Sequence, residues 1–354
     1  MKILLKVVLI MAMVVLFFVP VYSQETSWEE LNKKVAILYK KGQYSEAVKV
    51  AKESLKVAEK TFASDHSNIG ESLNNLALLY QRLGEYIEAE PLYKRALKIY
   101  EKTLGQNHED VATCLNNLGG LYYDQGKYVE AEEFLKKALA IREKSSKKND
   151  DNIANSLNSL ASLYIAQKKY AEAEPLYKRA LKIYEKTLGP NHPDVAVLLN
   201  NLAILYKMQG RYEEAESLYK RALSILQKAL GSEHPDVAAF QNNLAAFYKT
   251  QEKYTEAEVY CKRALKIYEK TLGSNHPNVA ASLNNLAELY RVLGKYKEAE
   301  PLYKRALAIW EKNLVPNHPD IVKILDHMME IYKKMGKNNE VTKLQQYLKK
   351  INSK

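Results

Sequence analysis

Cysteine is almost missing from this chain. Its 354 residues contain two, Cys114 and Cys261, so a disulfide framework of the kind that holds small secreted domains is excluded. The signatures of catalysis are missing too. There is no glycine-rich phosphate loop, no GxSxG elbow and no pair of carboxylates set in a pocket, so the chain is not expected to be an enzyme or to carry a cofactor. The formal charge is +11, but no basic arm or recognition motif accompanies it. Much of the lysine falls on the outer faces of expected helices, where it serves solubility, and nucleic-acid binding is not expected.

Long apolar runs are scarce as well. The one that stands out, 7–19, follows Lys2 and Lys6 and ends before the small residues of Val21-Tyr22-Ser23. This is the form of a secretory signal peptide spanning 1–23. The run is short for a membrane span of about 20 residues, so cleavage is the favoured reading, with an uncleaved membrane anchor as the alternative. No cysteine lies near the cut, which argues against a lipid anchor. The expected location is secreted or periplasmic, with membrane contact only through this segment.

What the chain does contain is a repeat. Tyr86, Tyr128, Tyr170, Tyr212, Tyr254 and Tyr296 are each 42 residues apart. A fixed period in this range signals a stacked array, whose length does not count domains. The clearest copy is LNNLAILYKMQGRYEEAESLYKRALSIL, residues 199–226, which reads as two amphipathic helices joined by a turn at Gly210. The solenoid is expected over 24–354. A degenerate first unit occupies 27–63. Full units follow at 70–103, 112–144, 196–229, 238–271 and 280–313, with an altered one at 154–187. Capping helices follow over 319–354, with a polar outer side suited to the end of a stack.

On a helical wheel Leu73, Leu76, Ala77 and Tyr80 form one buried stripe. The Ala77 column stays small, as Gly119, Ala161, Ala203, Ala245 and Ala287, which lets the paired helix approach closely. Pro91, Pro175 and Pro301 mark starts of second helices, where the missing N–H had no partner. In the connector TLGPNHPDVA, Gly189 suits a helix C-terminus, and Pro193 and Asp194 suit the first turn of the next helix. The connector after 144, SSKKNDDNIA, lacks the glycine and the proline and is expected to be looser. Cys114 and Cys261 lie three units apart, too far for a bond that needs Cα atoms within about 7 Å. Both read as buried apolar groups.

The run LNNLAxLY, then GxYxEAExLYKRAL, then EKTLGxxHPDVA resembles the tetratricopeptide repeat in the 42-residue form of kinesin light chains, over nearly all of residues 28–335. The resemblance implies an all-α, right-handed superhelical solenoid of helix-turn-helix units. Their first helices would line a concave groove for extended peptides or partner proteins. In kinesin light chains that groove takes peptides with an apolar residue among acidic ones. The heptad coiled coil that joins those proteins to a motor has no counterpart in the sequence, so motor transport is not implied, and fold likeness alone does not settle function.

With Leu73, Leu76, Ala77 and Tyr80 buried, the opposite face of the same helix holds Glu71, Asn75, Leu78 and Arg82. Asn75 begins a column that continues as Asn117, Ser159, Asn201, Asn243 and Asn285. Its carboxamides can hold a peptide backbone, since each offers a donor and an acceptor, or they can bond one another as a structural ladder. A flanking column is basic in four successive units, at Lys207, Lys249, Arg291 and Lys333, after Gln81, Tyr123 and Ile165 in earlier ones. Stacked like charges border the groove and call for something acidic. Val197, Ile204 and Met208 add an exposed apolar strip. The expected ligand is an acidic peptide with an apolar anchor, centred on 197–292. Two other roles stay open: an assembly factor of a cell-envelope complex, and a chaperone-like binder of secreted clients. His66, His108, His192, His234, His276 and His318 share one connector column. They lie at least a helix-packing distance of about 8–10 Å apart, so no metal site is expected there. Neither the partner's identity nor the oligomeric state is written in the sequence.

Overall fold

The computed structural model describes residues 27–145, 151–314 and 316–352. The signal-like segment 1–23 and residues 146–150 of the connector SSKKNDDNIA lie outside them. The described residues form sixteen helices and no strands, arranged as eight hairpins. These are α1 (Trp28–Lys40) with α2 (Tyr44–Thr61), α3 (Ser67–Leu83) with α4 (Tyr86–Leu104), α5 (Glu109–Asp124) with α6 (Tyr128–Ser145), and α7 (Asp151–Ala166) with α8 (Tyr170–Thr187). They continue as α9 (Pro193–Met208) with α10 (Tyr212–Leu230), α11 (Pro235–Thr250) with α12 (Tyr254–Leu272), α13 (Pro277–Val292) with α14 (Tyr296–Asn313), and α15 (Pro319–Lys334) with α16 (Asn338–Asn352). The fold is a right-handed superhelical solenoid. None of these helices is long and apolar enough to cross a membrane.

Local chemistry sets each boundary. The connector histidine is the N-cap of the first helix: Nδ1 of His192 accepts from the Asp194 backbone N–H at 3.2 Å, and the other five column members do the same two residues on. This satisfies one of the free donors of the first turn. A proline occupies the first turn of α9, α11, α13 and α15, where φ is already helical. Turns between paired helices need a left-handed residue, and Gly210 supplies it at φ 76°. In two units Lys168 and Glu252 stand there instead, at φ 60° and 57°, a conformation that costs an L-residue about 1–2 kcal/mol.

The expected stripe is the core. Leu73, Leu76, Ala77 and Tyr80 are buried, as are Ala89, Tyr93 and Ala96 of the facing helix. The small column is required by contact: a Cβ on Gly119 would lie 2.7 Å from Leu135 Cγ. Cys114 and Cys261 are both buried and free, and burial pushes each thiol up to about 12.

Units are stitched together at their outer edge. Glu174 of α8 accepts from the Tyr206 hydroxyl of α9 and from Arg211, each at 3.1 Å. The same glutamate-to-tyrosine bond, 32 residues in span, recurs at Glu90–Tyr122, Glu132–Tyr164, Glu216–Tyr248, Glu258–Tyr290 and Glu300–Tyr332. Lys136, with further bonds from Gln167 and Lys169, holds the Glu132 carboxyl down at about 2. Next to the connector after 144, Arg142 is buried and bonds Glu109, Thr113 and Ser156, which ties α5, α6 and α7 together.

The stack also comes round on itself. The turn of the first unit meets the connector that enters the seventh: a Cβ on Gly42 would lie 2.6 Å from His276 Nε2 and 2.9 Å from Pro277 Cδ. His276 is therefore buried, whereas the His234 side chain keeps 39% exposure. One unit on, the charges of Asp124 and Asp320 both act on His318.

Candidate functional site

First helices of successive units touch along one side of the stack. The residues they turn away from the core line that face. Their sequence columns run 42 residues apart, so the face is a set of parallel rows, each read across neighbouring units.

The asparagine row bonds within itself. Nδ2 of Asn117 donates to Asn74 Oδ1 at 3.0 Å, that of Asn201 to Asn158 at 2.8 Å, and that of Asn243 to Asn200 at 3.0 Å. Each bond joins one first helix to the one before it. The amide donors of these three half-buried asparagines are thus engaged in a ladder, and the Asn201 carbonyl oxygen also accepts from Asn200 Nδ2 at 3.4 Å. The ladder breaks where its chemistry changes. Ser159 replaces asparagine, and Asn116 Oδ1 is left buried without a partner. Asn242 Oδ1 is likewise buried and unpartnered, and Asn285, the expected donor, lines a small hollow instead. Asn75 stands on the same face at the N-terminal end, half-buried beside Tyr39 and Leu78.

The basic row requires a correction. Lys207, Lys249 and Arg291 were expected to repel one another until an acidic ligand arrived. The structure supplies the acid internally for two of them. Lys249 Nζ lies 2.7 Å from Glu288 Oε1, and both side chains are largely buried, at 24% and 21% exposure. Arg291 Nη1 holds both oxygens of Glu330, at 2.8 and 2.9 Å. Both pairs span 39 residues, from one first helix to the next. Burial raises the Glu288 carboxyl, but the Lys249 hydrogen bond, together with the charges of Lys249, Lys323 and His327, holds the group below its ordinary value.

Lys207 differs. The residue 39 positions on is Ala246, which is exposed and has no charge to offer. Among the described residues no carboxylate pairs with Lys207. Burial pulls its ammonium below the ordinary lysine value, and the charge of Lys249 pulls it further. The apolar strip lies on the same helix, with Val197 and Met208 at 40% and 49% exposure and Ile204 half-buried. Asn201, Ile204, Lys207 and Met208 are spaced three, four and seven residues apart, so they share one helix face.

Position 261 alters the floor nearby. Tyr93, Tyr177, Tyr219 and Tyr303 fill this core place in other units, all fully buried. Tyr93 and Tyr177 reach polar partners at Gln81 and Ser162 on the first helix of their own unit. Cys261 is shorter, and the hollow left behind is lined by Ala245, Ala246, Lys249, Cys261, Asn285 and Leu289.

The N-terminal half of the face is neutralised in other ways. Gln81 Nε2 bonds Asp124 at 2.6 Å and Arg82 Nε bonds the Tyr39 hydroxyl at 2.8 Å. Glu288, Glu330 and Ala246 are the residues that column reading missed. The signal was present, because a cation 39 residues before a glutamate recurs twice. It emerges only when a position is compared with the neighbouring unit and not with its own column.

The tetratricopeptide repeat model matches residues 30–102, 68–144, 152–228, 236–312 and 279–344. The chain belongs to the tetratricopeptide repeat family. Among solved structures, BtubC (BKLC) from P. vanneervenii is similar at 28% identity and a TM-score of 0.51, over 69% of this chain and 92% of that one. A Rap protein solved with Competence and Sporulation Factor is similar in fold, at 17% identity and a TM-score of 0.57, over 92% and 98%. RapI in its apo form is similar at 18% identity and a TM-score of 0.57, over 80% and 98%. No curated protein matches the chain. The repeats are of the kinesin-light-chain kind, and the chain is a repeat scaffold.

Proposed function

We propose that this tetratricopeptide solenoid is a non-catalytic binding scaffold whose inner face takes an extended acidic peptide with an apolar anchor, centred on α9. One observation carries the reading: Lys207 is partly desolvated without a carboxylate beside it, on the helix that also carries the exposed Val197 and Met208 and the half-buried Ile204. Even partial burial of a cation without a partner carries a desolvation cost. A ligand that brings a carboxylate relieves that cost while its apolar side chain covers the strip.

Lys207→Glu is the direct test. It reverses the charge of Lys207 and leaves the Lys249–Glu288 and Arg291–Glu330 pairs intact. Capture of acidic peptides by the purified protein should fall at least about tenfold with the helical circular dichroism unchanged, and capture in the parent should weaken with added salt. Undiminished capture by the variant would rule the groove out.

Export is proposed on the form of residues 1–23, with two lysines before the apolar run. Expressed with its full leader, the mature protein should begin at Gln24. A chain recovered with Met1 intact in a membrane fraction would instead establish an anchor.

A further inference from the structure

Two neighbouring units show how this groove accommodates a carboxylate. In each, a glutamate on the following first helix, 39 residues on, reaches back to the basic residue: Glu288 to Lys249 and Glu330 to Arg291. The unit holding Lys207 repeats the cation and the helix geometry but has Ala246 in the glutamate's place. Ala246 is exposed and borders the hollow over Cys261. The asparagine ladder is intact between α9 and α11, through Asn243 and Asn200, and is interrupted one step further on, where Asn242 Oδ1 is buried without a partner and Asn285 lines the hollow. Lys207 thus has a small, exposed residue 39 positions on, where the next two cations of the row each have a glutamate that pairs with them.

We propose that the space above Ala246 is a slot for one carboxylate side chain of the bound peptide, held by Lys207 in the place that Glu288 and Glu330 occupy in the next two units. This deepens the peptide-binding reading and rests on it. The occupant is a glutamate or aspartate side chain within the peptide, because the two carboxylates that fill the equivalent places are themselves glutamate side chains extended from a helix. The slot takes a single acid: one unit further on, the equivalent place is already filled by Glu288.

The test selects short displayed peptides on the full mature protein and asks whether one position is acidic. That acid is then changed to its amide in the peptide, and binding of both forms is compared on the parent, on Ala246→Glu and on Lys207→Met. On the parent the change should cost about tenfold or more. On Ala246→Glu, where the chain fills its own slot, and on Lys207→Met, where the cation is gone, acid and amide should bind alike. Lys207→Met keeps the test valid if Ala246→Glu fails to fold. Selected peptides without an acidic position, or an acid-to-amide penalty of equal size on the parent and both variants, would overturn the slot. So would binding that needs only a free C-terminal carboxylate. The two readings can fail separately: if Lys207→Glu abolishes capture but the amide penalty persists on Ala246→Glu, the groove stands and the slot falls. If no peptide is selected at all, both fall.

Discussion

The units α9–α10 and α11–α12 carry nearly the same text and sit side by side, yet they differ at two places on the first helix, at the turn and in the core. The first has Ile204, Met208, Gly210 and Tyr219 where the second has Ala246, Thr250, Glu252 and Cys261. Both carry a lysine in the basic row. In the first it is half-buried and has no carboxylate partner, and in the second it is closed by Glu288. The contrast teaches that a column of identical residues is not a column of identical states. Each lysine's state is decided by the residue that the next unit places against it.

The largest expected effect separates the two core positions. Tyr219→Ala removes a buried ring packed 5.3 Å from Phe247 and should cost about 3–5 kcal/mol. Cys261→Ala, beside a hollow already present, should cost roughly 1 kcal/mol. Denaturant unfolding of both variants measures the gap, and equal losses would mean that the tyrosine place is not the unit's anchor. Next in size is the lysine pair. Lys249→Met strands the buried Glu288 carboxylate and should destabilise by about 1–3 kcal/mol. Lys207→Met strands nothing and should leave stability unchanged or raise it by up to about 1 kcal/mol. If the two changes shift the unfolding midpoint alike, the distinction between open and closed cations is wrong. The smallest effect lies in the turns. Glu252→Gly relieves a left-handed residue at φ 57° and should stabilise by about 0.5–1 kcal/mol, whereas Gly210→Glu should lose a similar amount.

Much of the architecture was legible in the text. The 42-residue period shows directly as repeated text, the buried stripe at Leu73, Leu76, Ala77 and Tyr80 spans about two turns of one helix, and the connector proline acts within the first turn of the next helix. Short-range chemistry of that kind can be read from spacing. The site was legible only in part. Val197 and Met208 are exposed as the wheel implied, because a wheel orders residues around a single helix. The pairing of Lys249 and Arg291 was not visible that way, since each salt bridge spans two helices of different units. The asparagine row admitted two readings on paper, and the distances show Asn117, Asn201 and Asn243 bonded into a ladder while Asn285 is not.

The sequence by itself determined a stack of helical hairpins, which face of each first helix is polar, and where the basic row runs, because these follow from periodicity and local capping. Only the tertiary structure decided which cations are already satisfied and that the chain returns on itself to bury His276 against Gly42. The first outcome depends on which residue the next unit sets against each cation, and the second on the rotation between successive units, which accumulates over the whole stack.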